Sequence, residues 1–291
     1  MADPNPTDQL PTTTLYHYTS VGGLVGIVEK KVLWATHISF LNDTVEIRHA
    51  ITLLQSRIAE LASGLTDARA KPFVQLREWL QHGFIYNHLL FVCSFTSNGN
   101  LLSQWRGYCP PGKGVSVGIN PDALMHAADA QGFYVTRCVY EPADQCTLMD
   151  EVLDKILATA DDLGEAPPSE RHPTQSYYNA FDRHEDLLLQ TAARIKHHAF
   201  SEEEEWRAIS RVSRKLNDPA LRFREGATRL IPYVEFSLPR KCDDSLHFEQ
   251  VYVGPSAEPR LAFSSVDWLL TKHGAVPSKG LHASGLPWRT W

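Results

Sequence analysis

The spacing of hydrophobic positions divides the chain into strands and helices. Segments with apolar residues at every second position, or in a short continuous run, predict strands, and apolar residues three and four apart predict amphipathic helices. The predicted strands are 14–18, 32–36, 89–96, 115–119, 133–140, 205–212, 221–224, 230–238, 247–254 and 280–283. Predicted helices follow Ser20, Asn42 or Asp43, and Asn120, and also cover about 68–81, 101–108, 148–163, 175–198 and 258–273.

This order of elements predicts an α+β fold around a mixed, mostly antiparallel sheet with flanking helices. The segment at about 144–200 has helical spacing and is predicted to be a helical insertion. Residues 1–13 are polar and contain proline, so we expect a flexible N-terminal arm. The remainder, 14–291, is predicted to be a single domain.

The opening strand places a histidine, His17, between two tyrosines. Ser20 is suited to cap the helix that follows, and Leu24, Ile27 and Val28 have the spacing of its buried side. A lone histidine in a strand is usually a core residue whose ring bonds to a backbone carbonyl. His17 gains functional interest only from features further along the chain.

Composition narrows the class of protein. The chain has 291 residues and a formal net charge of −6, which argues against a general nucleic-acid-binding surface but is compatible with a local basic groove,. No apolar run approaches the roughly 20 residues of a membrane span, and the first residues lack the pattern of a signal peptide. Five cysteines without CxxC spacing indicate reduced thiols,. We therefore expect a cytoplasmic protein without a membrane partner or a metal site.

An acidic run leads into the predicted strand at 205–212. Glu203 and Glu205 are two residues apart, so a strand would project both carboxylates from one face while Trp206 points to the other. Most charge runs are simply solvated. Two carboxylates on one face can, however, divide acid and base roles, because their mutual repulsion separates their pKa values.

Polar and aromatic residues follow the predicted buried strand 89–96. Ser94 and Thr96 lie at its end, where open sheets place ligand contacts. Beyond the turn, Trp105 and Tyr108 offer stacking surfaces and Arg106 offers a planar guanidinium for phosphate. The alternative is that the two hydroxyls only shape a turn and Trp105 only fills the core. The sequence does not separate the two.

Two arginines alternate in the predicted strand 221–224. Arg222 and Arg224 therefore share one face and could grip a diphosphate, although most surface arginines have no such role. A near match to a phosphate-binding loop at 107–114 is rejected, because Pro110 and Pro111 remove two of the backbone N–H groups that hold phosphate.

Short motifs over most of the chain resemble a bacterial family catalogued as domain of unknown function 2971. The matching segments are Tyr16-His17-Tyr18-Thr19-Ser20, Leu33-Trp34, Phe40-Leu41-Asn42-Asp43 with Glu46, Cys93-Ser94-Phe95, Trp105-Arg106 through Tyr108, Gly114 to Ile119, Glu203-x-Glu205-Trp206-Arg207, Gly254-Pro255 and Ser284. The name of this family carries no activity.

A more distant resemblance implies an activity. The aromatic-His-x-Thr turn, followed by an amphipathic helix and a short strand, resembles the first motif of ADP-ribosyltransferases, especially bacterial toxins that act on nucleic acids. The resemblance implies an ADP-ribosyltransferase-like fold in which His17 holds a ribose of NAD. The segment Ser94-Phe95-Thr96 corresponds to a degenerate second motif at the nicotinamide. Glu205 corresponds to the catalytic glutamate, with Glu203 as its upstream partner.

The implied substrate is NAD, and its chemistry explains the residue types. Breaking the nicotinamide–ribose bond builds positive charge on the ribose, which an ionised carboxylate stabilises more in the transition state than in the ground state. The implied catalytic residues are Glu205, Glu203 and His17, with His17 expected to donate to ribose oxygens. The implied NAD contacts are His17, Tyr18, Thr19, Ser94, Phe95, Thr96, Trp105, Arg106, Tyr108, Arg222 and Arg224.

The expected function is transfer of ADP-ribose from NAD to a nucleic acid or protein, in a toxin or phage-defence setting. A toxin would also have an antitoxin or immunity partner. Three alternatives stay open: an NAD glycohydrolase with water as acceptor, a non-catalytic nucleotide- or nucleic-acid-binding module, and a metal-dependent nuclease.

Overall fold

The computed structural model describes residues 10–41, 45–81, 88–166 and 176–287. Its strands are β1 (Leu15–Ser20), β2 (Val32–His37), β3 (Phe91–Thr96), β4 (Gly114–Ile119), β5 (Phe133–Arg137), β6 (Glu205–Ser210), β7 (Arg222–Glu225), β8 (Leu230–Ser237), β9 (Phe248–Val253) and β10 (Leu281–Ala283). Its α-helices are α1 (Val21–Lys30), α2 (Val45–Ala62), α3 (Asp67–Gln81), α4 (Leu102–Tyr108), α5 (Pro121–Ala130), α6 (Pro142–Leu163), α7 (Tyr178–Ala192) and α8 (Pro259–Lys272). Asn42, Asp43 and residues 1–9 of the expected arm lie outside the described residues.

The strands form one sheet in the order β10-β9-β4-β1-β3-β2-β8-β7, with β6 added to β3 and β5 added to β6. The pairs of these strands are antiparallel except for β9 and β10, which are parallel. The predicted α+β class and the mixed, mostly antiparallel sheet are thereby confirmed.

The sheet is split beside β3. One edge of β3 pairs along its length with β6, so β1 and β2 must share the other edge. β1 pairs with β3 only at the last residue of β3, where Tyr16 pairs with Thr96. β2 pairs with β3 only at the first two residues of β3, Phe91 and Val92. Between these contacts β1 and β2 diverge and leave a gap at the middle of β3.

Local sequence explains how α1 crosses from β1 to β2. The hydroxyl of Ser20 accepts from the Gly23 N–H at 3.0 Å, which confirms the predicted cap,. Lys31 ends the helix in a left-handed conformation (φ 59°), and its N–H donates to the Ile27 carbonyl at 2.7 Å,. The chain therefore enters β2 directly after the last turn of α1.

Two hydrophobic clusters cover the two faces of β3. Cys93 and Phe95 enter one cluster with residues of α1, α5 and α8, while Val92 packs into a second cluster with α2, α3, α6 and α7. Burial on both faces is what the continuous apolar run of this strand predicts. Helices α6 and α7 lie between β5 and β6, in the segment expected to be helical. None of the described helices has the length and apolar content of a membrane span.

A buried carboxylate ties the ends of several strands together. Glu249 of β9 accepts hydrogen bonds from Thr14 at 2.5 Å, from Asn120 at 3.0 Å and from Lys279 at 2.8 Å. Burial opposes its charge, but Lys279 and the two neutral donors outweigh burial and lower the pKa of Glu249 to about 2,. The carboxylate is therefore ionised over the whole neutral range.

Substituting Glu249→Ala is expected to lower the free energy of unfolding by about 2 kcal/mol at pH 7, because it leaves three donors without their acceptor. A carboxyl whose pKa is depressed in the folded state stabilises above its unfolded pKa and loses that contribution as the pH falls through the folded value. The difference from wild type should therefore shrink between pH 5 and pH 2 in denaturant titrations. The exposed Glu258→Ala is the matched control, and a difference that grows on acidification would contradict the assignment.

Candidate active site

A cleft of about 740 Å³ opens where β1 and β2 separate beside β3. This volume is within the range of about 300–1,000 Å³ typical of small-molecule sites. Its walls come from β1, α1, β2, β3, α4, β7 and the segment that leads into β6. A recess of about 50 Å³ adjoins the cleft. The residues that line both are His17, Ser94, Tyr108, Glu203 and Glu205.

His17 is held at the wall of the cleft by the backbone of β3. Its Nδ1–H donates to the carbonyl oxygen of Ser94 at 2.9 Å, and its ring centroid lies 5.9 Å from that of Phe95. Burial lowers the pKa of His17, with this hydrogen bond opposing the effect only in part, so the ring is neutral at neutral pH,. With the proton on Nδ1, Nε2 can only accept a hydrogen bond. His17 is thus suited to bind a ligand hydroxyl as an acceptor, which reverses the direction expected from the sequence.

Glu205 begins β6 with its carboxylate buried between two cations. Arg207 donates to it from Nε at 2.7 Å and from Nη2 at 3.1 Å, and Lys196 donates from Nζ at 2.5 Å. Arg207 is held in place by a further bond to the Ala193 carbonyl at 2.7 Å. Burial opposes the charge of Glu205, but the two cations outweigh it and hold the pKa of this carboxyl below its usual range,. Glu205 is therefore ionised at neutral pH.

Glu203 does not lie on the strand, which corrects the shared strand face predicted from its spacing. It ends the 3₁₀ helix His198–Glu203, and Glu204 takes a left-handed conformation (φ 41°) before β6 begins. The two carboxylates converge nevertheless, because Lys196 Nζ donates to Glu203 at 2.5 Å as well as to Glu205. The two carboxylates are therefore brought together by the buried ammonium of Lys196 and not by the alternation of side chains along a strand.

Helix α1 presents glycines to the cleft in its first turns. Gly22 and Gly26 are four residues apart on this helix, and both line the cleft,. A Cβ placed on Gly26 would meet no atom within 4 Å, and one on Gly22 would meet only the hydroxyl of Ser20, at 3.8 Å. The helix backbone is therefore open to close approach by a ligand.

The cleft and the recess bring together several residues predicted to contact NAD. Those that line the cleft are His17, Thr19, Ser94, Tyr108 and Arg224. Those that line the recess are His17, Tyr18, Ser94, Phe95, Thr96 and Tyr108. Ser94 and Thr96 thus lie beside a cavity, and the Thr96 hydroxyl also shapes the following turn by accepting from the Asn98 N–H at 3.1 Å.

Trp105 is a packing residue, which corrects its predicted stacking role. It is buried and lines neither cavity; its Nε1–H donates to Asn100 at 3.0 Å, and its ring meets that of Tyr18 edge-on at 4.6 Å. The Tyr18 hydroxyl donates to the Asn98 carbonyl at 2.9 Å and accepts from the Leu101 N–H at 2.7 Å. Tyr18 therefore borders the recess as a fixed structural residue, and its ring is already packed against Trp105.

The predicted arginines separate into two groups. Arg224 lines the cleft, whereas Arg222 is exposed and pairs with Glu235 at 3.5 Å. Arg106 is exposed on α4, which turns Ser103, Gly107 and Tyr108 toward the cleft. Arg106 and Arg222 therefore do not line the cleft, contrary to the prediction.

The cleft is also lined by residues that were not among the predicted site residues, including Lys30, Trp34, Lys196 and Arg207. Arg207 carries a usable signal, because it follows Glu205 by two positions in a strand and so must share its face. Lys196 carries none. It follows α7, and only the tertiary fold brings it into contact with Glu205.

The cleft also contains a thiol, that of Cys93. Burial raises its pKa, so the thiolate that nucleophilic chemistry requires is not populated at neutral pH,. Within the described ranges, no group of three or more His, Cys, Asp or Glu side chains is placed to hold a metal ion.

Part of this site lies in a segment that matches a family model. Residues 104–208 match a family described as protein of unknown function (DUF2971). The match covers about a third of the chain, from α4 into β6; it includes Lys196, Glu203 and Glu205 but not His17. It supports the resemblance to that family over this segment. Searches of curated proteins and of solved structures found no match.

Proposed function

We propose that the chain binds NAD in the cleft, breaks its nicotinamide–ribose bond and transfers ADP-ribose to a nucleic acid or a protein. The observation that carries the proposal is an ionised, buried Glu205 and a neutral His17 on the walls of one cleft. The proposed fold relationship is to ADP-ribosyltransferases. As a toxin or phage-defence effector, the protein would have an antitoxin or immunity partner.

In the proposed reaction the nicotinamide nitrogen leaves with the electron pair of its bond to ribose, and the ribose becomes oxocarbenium-like. Glu205 stabilises this charge, because a fixed carboxylate in a partly dry site acts more strongly on the transition state than on the ground state. His17 accepts from a ribose hydroxyl. An acceptor hydroxyl or amine then forms the new bond to the ribose carbon, and Glu203 takes its proton.

The residues present fit NAD as a substrate. The cleft volume suits a dinucleotide-sized ligand, the open face of α1 admits close approach, and Arg224 supplies a cation for the diphosphate,. A side chain at Gly26 would fill part of this space.

The alternatives differ in what they require of Glu205. Water as acceptor would make the same site an NAD glycohydrolase, with Glu205 still essential. A non-catalytic nucleotide- or nucleic-acid-binding module would tolerate loss of Glu205. A metal-dependent nuclease is the least compatible, because the Lys196 ammonium stands between the two carboxylates that Mg²⁺ would need,.

The test is nicotinamide release from NAD by the purified protein, with and without DNA, RNA or cell extract as acceptor. Label transferred from adenine-labelled NAD to a macromolecule supports the transferase. Nicotinamide release without transfer identifies the glycohydrolase. DNA or RNA cleavage that needs no NAD and stops with EDTA would replace the proposal by the nuclease.

A larger side chain at Gly26 should block the cleft without disturbing the catalytic residues. Gly26→Leu is expected to stabilise α1 by about 0.5–1 kcal/mol, because glycine is a poor helix residue, and to reduce nicotinamide release at least tenfold by filling the cleft,. Gly26→Ala should stabilise α1 by a similar amount but fill less of the cleft. Its nicotinamide release should therefore lie between those of wild type and Gly26→Leu. Full activity of a folded Gly26→Leu protein would place the reaction elsewhere.

A further inference from the structure

Trp34 presents a large ring to the cleft from β2. Its exposed fraction is 42%, and it lines the cleft together with Thr36, two residues further along the same strand. The ring of Tyr233 lies beside it, with 4.9 Å between centroids. A single exposed tryptophan needs no explanation. This one is braced by a neighbouring ring on the wall of a concave site.

Two cations stand at the same ring. The guanidinium carbon of Arg224 is 5.5 Å from the Trp34 ring centroid, and the ammonium of Lys30 is 6.0 Å from it. Both cations line the cleft. Lys30 and Arg224 make no ion pair with any residue that the structure describes. Two like charges thus lie at the same aromatic ring without a compensating carboxylate.

Arg224 is further oriented toward the cleft. Its Nη2 donates to the Thr36 hydroxyl at 3.2 Å, whereas its Nε is buried without a hydrogen-bond partner among the described residues. The nearby Glu235 is paired with Arg222, so it does not neutralise this guanidinium. A half-buried cation with one buried, unused donor is a costly arrangement unless an anionic ligand completes it,.

We propose that Trp34, Lys30 and Arg224 form a subsite for a nucleoside diphosphate, with the base stacked on Trp34 and the phosphates held by the two cations. A ligand that joins a planar ring to adjacent anionic groups satisfies both features at once. The inference rests on the proposed function in one respect, since it assigns this subsite to the adenosine-diphosphate half of NAD. His17 and Glu205 are left for the nicotinamide–ribose end.

The subsite can be tested without catalysis by titrating ADP into the full chain in a calorimeter. Trp34→Ala is expected to weaken ADP binding about tenfold or more, because base stacking on an aromatic ring is lost, and Trp34→Phe should retain most of the affinity. Arg224→Met should weaken ADP much more than adenosine. Trp268→Ala, at an exposed tryptophan of α8, is the control and should bind ADP as wild type does.

Nicotinamide release separates the two proposals. If the chain cleaves NAD, Trp34→Ala should raise KM for NAD about tenfold and leave turnover of nicotinamide mononucleotide, which lacks the adenosine half, unchanged. Cleavage of NAD with an unaltered KM in Trp34→Ala would overturn the subsite and leave the proposed function standing. ADP binding that depends on Trp34, without nicotinamide release, would support the subsite and overturn the proposed function. Absence of ADP binding to wild type would overturn the subsite directly.

Discussion

Substituting Glu205→Gln is expected to reduce nicotinamide release from NAD by at least 100-fold. The neutral amide cannot stabilise positive charge on the ribose, and removal of one preorganised electrostatic contact of this kind costs about 10²–10³ in rate. The measurement is nicotinamide release under saturating NAD. Glu202→Gln is the matched control, because Glu202 belongs to the same acidic run but is exposed.

The same substitution carries a cost in stability that its position in the sequence does not suggest. Glu205 neutralises Lys196 and Arg207, so the amide leaves two buried cations undercompensated, and about 3–5 kcal/mol of unfolding free energy is expected to be lost,. Activity must therefore be compared at a temperature where circular dichroism shows the variant folded. Glu205→Asp retains the charge but withdraws the carboxylate, so it should be more stable than Glu205→Gln and still lose most activity. A folded Glu205→Gln protein with wild-type turnover would refute the catalytic assignment.

Substituting Lys196→Met is expected to lower stability as much as Glu205→Gln does. Lys196 is buried and donates to both Glu203 and Glu205, so its loss leaves two carboxylates facing one another. Breaking a buried ion pair from one side typically costs about 3–5 kcal/mol. Denaturant titration at pH 7 provides the measurement, and the exposed Lys113→Met is the matched control for loss of a lysine charge.

The pH dependence of this loss has a defined sign. Lys196 helps to depress the pKa of Glu205 in the folded protein. In wild type the ionised Glu205 therefore stabilises the folded state above the unfolded pKa of about 4.5, and this contribution is lost as the pH falls through the folded pKa,. Without Lys196 the folded pKa rises. The deficit of Lys196→Met should therefore be greatest at neutral pH and shrink as the pH falls below about 4.5.

A second substitution distinguishes charge from packing. Adding Glu203→Gln to Lys196→Met removes the repulsion between carboxylates, so the double variant should recover part of the lost stability at pH 7. A deficit that is independent of pH and not relieved by Glu203→Gln would show that Lys196 acts through packing alone.

The order of elements was accessible from the sequence because it depends on neighbours along the chain. The Ser20 cap and the buried positions of α1 follow from local hydrogen bonding and helical spacing, and both are found,. Asn120 likewise caps α5 ahead of Pro121,. The continuous apolar run of β3 predicted a strand covered on both faces, which the two clusters supply.

The candidate site was accessible only in part, because side-chain direction depends on distant partners. Trp105 and Arg106 adjoin in sequence, yet one is buried against Tyr18 and the other is exposed on α4. Arg222 and Arg224 share a strand face as predicted, but Glu235 on β8 pairs with the first and the cleft contains the second. Sequence spacing does not predict these tertiary partners.

The residue types that can perform the proposed chemistry, and the strands and helices that carry them, follow from the amino-acid sequence, because hydrophobic spacing and capping act over a few residues. The tertiary structure alone decided that β1 and β2 leave a gap beside β3 and that Lys196 joins two carboxylates within it. It also set the protonation of the site. The pKa of Glu205 is held down by Lys196 and Arg207, and that of His17 by burial, so charge here is a property of the neighbours that folding supplies,.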